Sequence, residues 1–216
     1  MQDIKKVIEN HKIICSCRGI FGNDLFLAMN SLYEGGIRIL DIAFQQDNES
    51  TIQQAINDIK HANDLFDGKL FIGMGNVLSM EQMEYAIEAN VKYIISPISD
   101  KAIIDCAKAH NIFTITGAMT SCEIYQANQW GTDMVMIYPA GYLGPKYIGY
   151  MVNKGPLNYI DTVACGGVNK DNIKSLLYAD CKAAVVGQYL ADKELVRKHE
   201  FDKLKQKTET FLSLIS

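Results

Sequence analysis

Few side chains in this sequence carry a charge at the end of an apolar run. Arg18 directly follows the run 12–17, and Asp41 lies within the run 37–44. A guanidinium fork suits a carboxylate or phosphate, whereas a buried carboxylate is costly unless it is paired or used. Arg18 therefore binds an anionic ligand, pairs with Asp41 on a neighbouring strand, or does each in turn. For Asp41 we favour an acid/base role with a perturbed pKa over a purely structural pair.

Two glycine-containing turns offer backbone N–H groups to an anion. "CGGVN" contains Gly166 and Gly167, and "VVGQYL" contains Gly187 and Gln188. Turns of this kind that lead into helices form phosphate cradles in barrel enzymes. The other interpretation is that Gly166 and Gly167 only permit a tight turn between a strand and a helix.

The stretch "VMIYPAGYLGPKY" (135–147) has the form of a strand followed by a loop and a helix, without a reactive group on the strand. Met136 is a thioether that neither attacks nor transfers a proton. Lys146 is the nearest lysine on the same side. A lysine in such a place is more often solvated, or a phosphate partner, than a Schiff-base amine.

Metal and cofactor binding are not expected from the sequence. Cys15 and Cys17 are two apart, the other four cysteines are scattered, and the four histidines are far from them and from one another. This is not metal-ligand spacing, so we expect reduced, buried cysteines and no cofactor. Cys165, beside Gly166, is expected to line a pocket without acting as a nucleophile.

Composition limits the classes of partner. The 216 residues are 48% hydrophobic and 21% charged, with a net charge of -4 and a pI near 5.6. Mixed charges without a basic stripe argue against a nucleic acid partner. No apolar run is long enough to span a membrane, and the first residues lack the pattern of a signal peptide. We expect one domain (1–216) in a cytoplasmic protein.

Eight short apolar runs alternate with amphipathic segments of helical period. The runs cover residues 12–17, 37–44, 70–75, 92–96, 113–117, 134–138, 159–165 and 183–187. Eight such repeats predict an α/β fold, a (β/α)8 TIM barrel of parallel strands, with an extra helix over 1–11 and a final helix over 192–215. An open doubly wound sheet fits less well, since no G-x-G-x-x-G follows a strand. In the barrel, ligands bind at the carboxyl ends of the strands.

The order of several motifs resembles that of the KDPG/KHG aldolases. They are "EGGIRILDIAF", "IGMGNVL", "YIISP", "TITGAMTSCE", "IYPAGYLGPKYI" and "CGGVN", which together span most of the chain. The resemblance implies a barrel that cleaves a 2-oxo-3-deoxy sugar acid or 4-hydroxy-2-oxo acid, with or without phosphate, to pyruvate and an aldehyde. It also implies a homotrimer.

The same resemblance implies roles for individual positions. The family's Schiff-base lysine corresponds to Met136, and its acid/base glutamate to Asp41. Its carboxylate-binding arginine corresponds to Gln45, a loss that Arg18 is expected to offset. The remaining implied ligand-binding positions are Asn76, Pro97, Tyr138, Gly166, Gly167, Gly187 and Gln188.

Three functions stay open at this stage. The first is a lyase of this family with an altered site, in which a relocated lysine, Lys146 first, replaces the amine. The second is an inactive homologue that binds a sugar-acid phosphate or another anion. The third is a different barrel enzyme, such as an epimerase or decarboxylase, for which we find neither a metal site nor a Lys/Asp pair.

Overall fold

A closed barrel of eight parallel strands forms the centre of the molecule, as the apolar runs predict. The computed structural model describes residues 3–46 and 50–215. Each strand pairs with the next along the chain, and β1 pairs with β8. The strands are β1 (Ile13–Arg18), β2 (Ile39–Ala43), β3 (Phe71–Gly75), β4 (Tyr93–Ser96), β5 (Phe113–Ala118), β6 (Met134–Ile137), β7 (Thr162–Cys165) and β8 (Cys181–Val186).

Helices cover the outside of the barrel and cross over between successive strands. They are α1 (Ile4–His11), α2 (Gly22–Glu34), α3 (Ser50–Leu65), α4 (Met80–Glu88), α5 (Lys101–Ala109), α6 (Ser121–Trp130), α7 (Ala140–Ile148), α8 (Ile173–Tyr178), α9 (Lys193–Arg197) and α10 (Phe201–Leu212). Local sequence sets several of these boundaries. Thr120 and Glu123 form a reciprocal capping box at the start of α6, and Gly131 ends that helix in a left-handed conformation.

The C-terminal segment differs from the prediction of one final helix over 192–215. It forms two helices, α9 and α10, because His199 adopts a left-handed conformation with φ 53° between them. The helix predicted over residues 1–11 is present as α1, and residues 1 and 2 lie outside the described range.

The barrel interior is apolar over most of its depth. Val7 and Ile8 of α1 pack with inward side chains such as Ile14, Ile39 and Tyr93. Since α1 immediately precedes β1 and pairs with Asp161 through Lys5, it closes the amino-terminal end of the barrel. The polar groups of the carboxyl-terminal end are therefore the ones that a ligand can reach.

Two kinds of feature are absent from the described residues. Across 3–46 and 50–215, no helix has the length and apolarity needed to cross a membrane. In the same ranges, no three His, Cys, Asp or Glu side chains are grouped so that they could hold a metal ion. The six cysteines are free thiols.

Candidate active site

A cavity of about 920 Å³ opens at the carboxyl ends of β1, β2, β7 and β8. We call it the main cavity. Residues at the ends of six strands, β1, β2, β3, β6, β7 and β8, meet there, because the parallel strands all point to the same end of the barrel. Eight residues that the sequence indicated line it: Arg18, Gln45, Asn76, Tyr138, Gly166, Gly167, Gly187 and Gln188. The structure thus brings together the predicted anion-binding and most of the predicted substrate-binding positions.

Arg18 is an exposed side chain at the end of β1. The Arg18–Asp41 ion pair that the sequence left open is not formed, since the Asp41 carboxylate accepts its hydrogen bond from Ser16 instead. Within the described residues, no carboxylate lies in ion-pair contact with the guanidinium of Arg18. An anionic ligand in the main cavity can therefore use its donors.

Asp41 faces the barrel interior, as its position in the strand predicted, but it lies below the main cavity. Its side chain is 1% exposed, and it is not among the residues that line the cavity. Burial raises the pKa of Asp41 to about 7, and the hydrogen bond from Ser16 Oγ, 2.9 Å from Oδ2, partly offsets this. Oδ1 has no hydrogen-bond partner in the described part of the chain. Near neutral pH the carboxyl therefore exchanges between its two protonation states.

Glycines of β3 create the room for this buried polar group. A Cβ at Gly75 would overlap Asp41 Oδ2, and a Cβ at Gly73 would lie 2.5 Å from the Tyr93 ring. Tyr93 is fully buried and, like Asp41 Oδ1, its hydroxyl has no partner within residues 3–46 and 50–215. Burial is also the main reason that the pKa of Tyr93 is well above its usual range.

The glycine pair after β7 forms the tight turn that the sequence allows and also lines the main cavity. Gly166 and Gly167 have φ values of 85° and 72°, which favour glycine, and both line the main cavity. The turn is held from outside, because Gly141 N–H donates to the Gly166 carbonyl at 2.8 Å and Asn172 Nδ2 donates to the Gly167 carbonyl at 2.8 Å. With the carbonyl oxygens engaged in this way, the turn is rigid where it faces the cavity.

Asn76 has both a structural and a cavity-lining position. It adopts a left-handed conformation with φ 61°, and its Nδ2 donates to the Phe44 carbonyl at 3.0 Å. This bond fixes the loop after β3 against the end of β2. Asn76 thus orients the rim of the main cavity near Gln45.

Besides Asp41, three predicted positions lie apart from the main cavity. Met136 is 1% exposed and packs inside the barrel with Ile115 and Val163. Lys146 is exposed on α7, beyond the kink at Gly144, and does not line the main cavity. Pro97 lines a smaller cavity of about 290 Å³, which shares Tyr138 with the main one. The structure therefore does not bring Lys146 to the site.

Two polar side chains of the main cavity were not indicated by the sequence. Ser16 and Lys193 both line the main cavity. Ser16 is the single hydroxyl in the run "IICSCR". It is two residues from the inward-facing Ile14, so the alternation of the strand could have predicted that Ser16 also faces inward. Lys193 begins α9 rather than ending a strand, so a search of strand ends passed over it.

Lys193 reaches over the loop after β1. A Cβ at Gly19 would lie 2.5 Å from Lys193 Nζ and would overlap Gln45 Nε2, so the amine and the amide share the space above this glycine. Lys207, the other lysine of the main cavity, is 2.7 Å from Asp192 and lies over the Tyr189 ring. No such carboxylate contact holds Lys193 within the described residues.

Comparisons with known proteins place this chain in a family. The chain is 26% identical over 178 residues to the 2-dehydro-3-deoxy-6-phosphogalactonate aldolase of Escherichia coli, covering 82% of this chain and 83% of that protein. It is 21% identical over 189 residues to a 2-dehydro-3-deoxy-phosphogluconate aldolase of Treponema pallidum, covering 86% and 84%.

Solved structures share the fold. A structure described as native KDPGal aligns with a TM-score of 0.81 at 24% identity, over 94% of this chain and 93% of the other. A KDPG aldolase of Legionella pneumophila, with pyruvate captured as a covalent carbinolamine, aligns with a TM-score of 0.85 at 17% identity, over 97% and 98%. The sequence model of the family described as KDPG and KHG aldolase matches residues 4–207. The chain belongs to the KDPG and KHG aldolase family.

Proposed function

We propose that this chain, a single-domain barrel, is an aldolase-type lyase with an altered active site. Its substrate is a 2-oxo-3-deoxy sugar acid, with or without a phosphate group, or a 4-hydroxy-2-oxo acid, and its products are pyruvate and an aldehyde. The observation that carries the proposal is the meeting of Arg18, Gln45 and the glycine turns in one cavity of a chain that belongs to this family.

The main cavity has donors for an anion at two places. Arg18 and Gln45, at the ends of β1 and β2, suit the carboxylate of a 2-oxo acid. Gly166, Gly167 and Gly187, at the ends of β7 and β8, present backbone groups to a distal phosphate or carboxylate. Gln188 and Tyr138 also line this cavity. The presence of donors on two parts of the cavity wall supports a ligand with an anionic group at each end.

The amine that such a reaction needs must come from a position other than 136. A thioether forms no iminium, and Met136 is buried below the cavity. Lys146 is exposed outside the cavity, and Lys207 is paired with Asp192. Lys193 lines the main cavity beside Gln45, where the carboxylate of a 2-oxo acid would lie. We therefore assign the amine of the proposed lyase to Lys193.

Turnover is tested by following pyruvate release from 2-dehydro-3-deoxy-6-phosphogalactonate. We expect release by the wild-type chain, and we expect Arg18→Met to raise the KM about tenfold or more because a charge-assisted bond to the carboxylate is lost. Arg197→Met, which removes an arginine paired with Glu194 on α9, is the matched control and should leave the KM unchanged. Equal KM values for wild type and Arg18→Met would contradict the assignment of Arg18.

A second candidate is a binding protein without turnover. Two observations favour it: Met136 carries no amine, and Asp41 does not reach the main cavity. Calorimetry that shows binding of the same sugar-acid phosphate, without pyruvate release, would support this candidate over the lyase.

We also propose that the protein is cytoplasmic and forms a homotrimer. The resemblance to the family supports the trimer. Exposed apolar side chains at the carboxyl ends of β4 and β5, Ile98 at 46% and Met119 at 44%, are compatible with a covered surface in an assembly. A molar mass by light scattering equal to one or two chains would overturn the trimer.

A further inference from the structure

Asp41 is buried in the barrel interior, out of reach of a ligand in the main cavity. Its side chain is 1% exposed, and Gly75 of the neighbouring strand lies directly against Oδ2. Below it the interior is formed by apolar side chains and the Tyr93 ring. A carboxyl in this place cannot itself contact a molecule in the main cavity.

Ser16 connects this carboxyl to the main cavity. It lines the cavity floor, and its Oγ donates to Asp41 Oδ2 at 2.9 Å. A hydroxyl that donates one hydrogen bond still has lone pairs to accept another. Gly187 lies beside Ser16, where a Cβ would be 3.9 Å from the Ser16 Cβ, so no side chain at position 187 covers the serine.

No other polar route to Asp41 is present in the described residues. Ser16 is the one hydrogen-bond partner of its carboxylate there, and Oδ1 has none. The titratable groups that Asp41 influences are Tyr93 on β4, Cys165 on β7 and Cys15 on β1. Burial is the main reason that the pKa values of Tyr93 and Cys165 are raised, and a hydrogen bond with Cys17, followed by burial, raises the pKa of Cys15. These groups are therefore uncharged and hold their own protons near neutral pH.

We propose that Ser16 is a catalytic residue of this chain, a hydroxyl that carries protons between the main cavity and the buried carboxyl of Asp41. In the inward direction an O–H bond of the donor in the cavity breaks as Ser16 Oγ accepts that proton. At the same time the Ser16 O–H bond breaks, and its proton forms the carboxylic acid of Asp41. The reverse transfer returns the proton, so the serine is unchanged and no other reactant is needed.

This relay lets the altered site use Asp41, whose side chain is shorter than that of the glutamate implied by the resemblance. The role of the relay in catalysis rests on the proposed function. In that lyase reaction the proton donor is the C4 hydroxyl of the substrate, which must lose its proton as the C3–C4 bond breaks. The same proton returns through Ser16 to carbon 3 of the pyruvate unit, which must gain a proton once its bond to C4 is broken.

A proton-pulse experiment tests the relay without any ligand. A photoreleased proton protonates Asp41 in the free protein, and the carboxylic acid C=O stretch follows the rate, with Asp41→Asn identifying the band. We expect Ser16→Ala to slow protonation at least about tenfold, because the positioned hydroxyl is lost, and Ser16→Thr to restore it. Ser99→Ala, which removes a serine of the smaller cavity, is the matched control and should keep the wild-type rate.

The rate distinguishes a relay from a structural bond. A purely structural Ser16 would shift the equilibrium of Asp41 and leave its protonation rate at the wild-type value, and that result would overturn the relay. If Ser16→Ala does not fold, Ser16→Cys, with a poor hydrogen-bond donor of similar size, is expected to show the same slowing. Absence of pyruvate release by the wild-type chain would instead overturn the proposed lyase, which the proton-pulse result does not depend on.

Discussion

Met136→Lys is expected to release pyruvate from 2-dehydro-3-deoxy-6-phosphogalactonate at least about a hundredfold faster than the wild-type chain, within the range that a positioned catalytic group supplies. The substitution places an amine at the position where the resemblance implies the Schiff-base lysine. Position 136 is 1% exposed among apolar side chains, so burial would lower the pKa of the new lysine and keep part of it as the free amine. A free amine is the form that attacks a 2-oxo group.

The gain has a matched control and a clear contrary result. Met136→Leu keeps a similar volume and adds no amine, so it should release pyruvate at the wild-type rate. A folded Met136→Lys chain without any gain would show that the site cannot use an amine at this position.

Asp41→Asn is expected to remove a large pH dependence from the free energy of unfolding. Burial raises the pKa of Asp41 in the folded state to about 7 from its ordinary value of 3.8, so the folded chain holds this proton over a pH range in which the unfolded chain has lost it. The wild-type contribution is therefore fully present below about pH 4, falls as the pH rises and is lost above about pH 7. The total loss is on the order of 4 kcal/mol.

Chemical denaturation between pH 4 and pH 8 measures this difference. The asparagine amide keeps an acceptor for Ser16 and carries no charge, so at pH 8 we expect the variant to be more stable than the wild type. Carboxyls with a lowered pKa, such as Glu123 and Asp192, contribute a slope of opposite sign, and this slope is common to both chains. Parallel curves for the two chains would contradict a buried carboxyl that is neutral at low pH.

The fold was predictable because its signals are local and repeat. Each predicted apolar run contains or overlaps one strand, and Asp41 faces inward as the alternation of its strand requires. The break at His199 was not predictable in this way, since the helical period continues on both sides of it. A single residue with positive φ changes the direction of the chain without changing the hydrophobic pattern.

The site was less predictable, because depth and reach depend on the closed barrel. The sequence placed Asp41 on the correct face, but its distance below the cavity follows from how β1, β2 and β3 pack. Lys193 reaches the site from a helix, over Gly19, and a list of strand ends does not contain it. Lys146 is close to Met136 in sequence, yet it follows the kink at Gly144 and remains exposed.

The location of the amine is the central claim, and reductive trapping tests it most directly. The wild-type chain is treated with borohydride in the presence of pyruvate, and its peptides are analysed by mass spectrometry. We expect one adduct, on the peptide that contains Lys193, to be retained in Lys146→Met and lost in Lys193→Met. An adduct on Lys146, or no adduct on any lysine while pyruvate binds, would contradict the account.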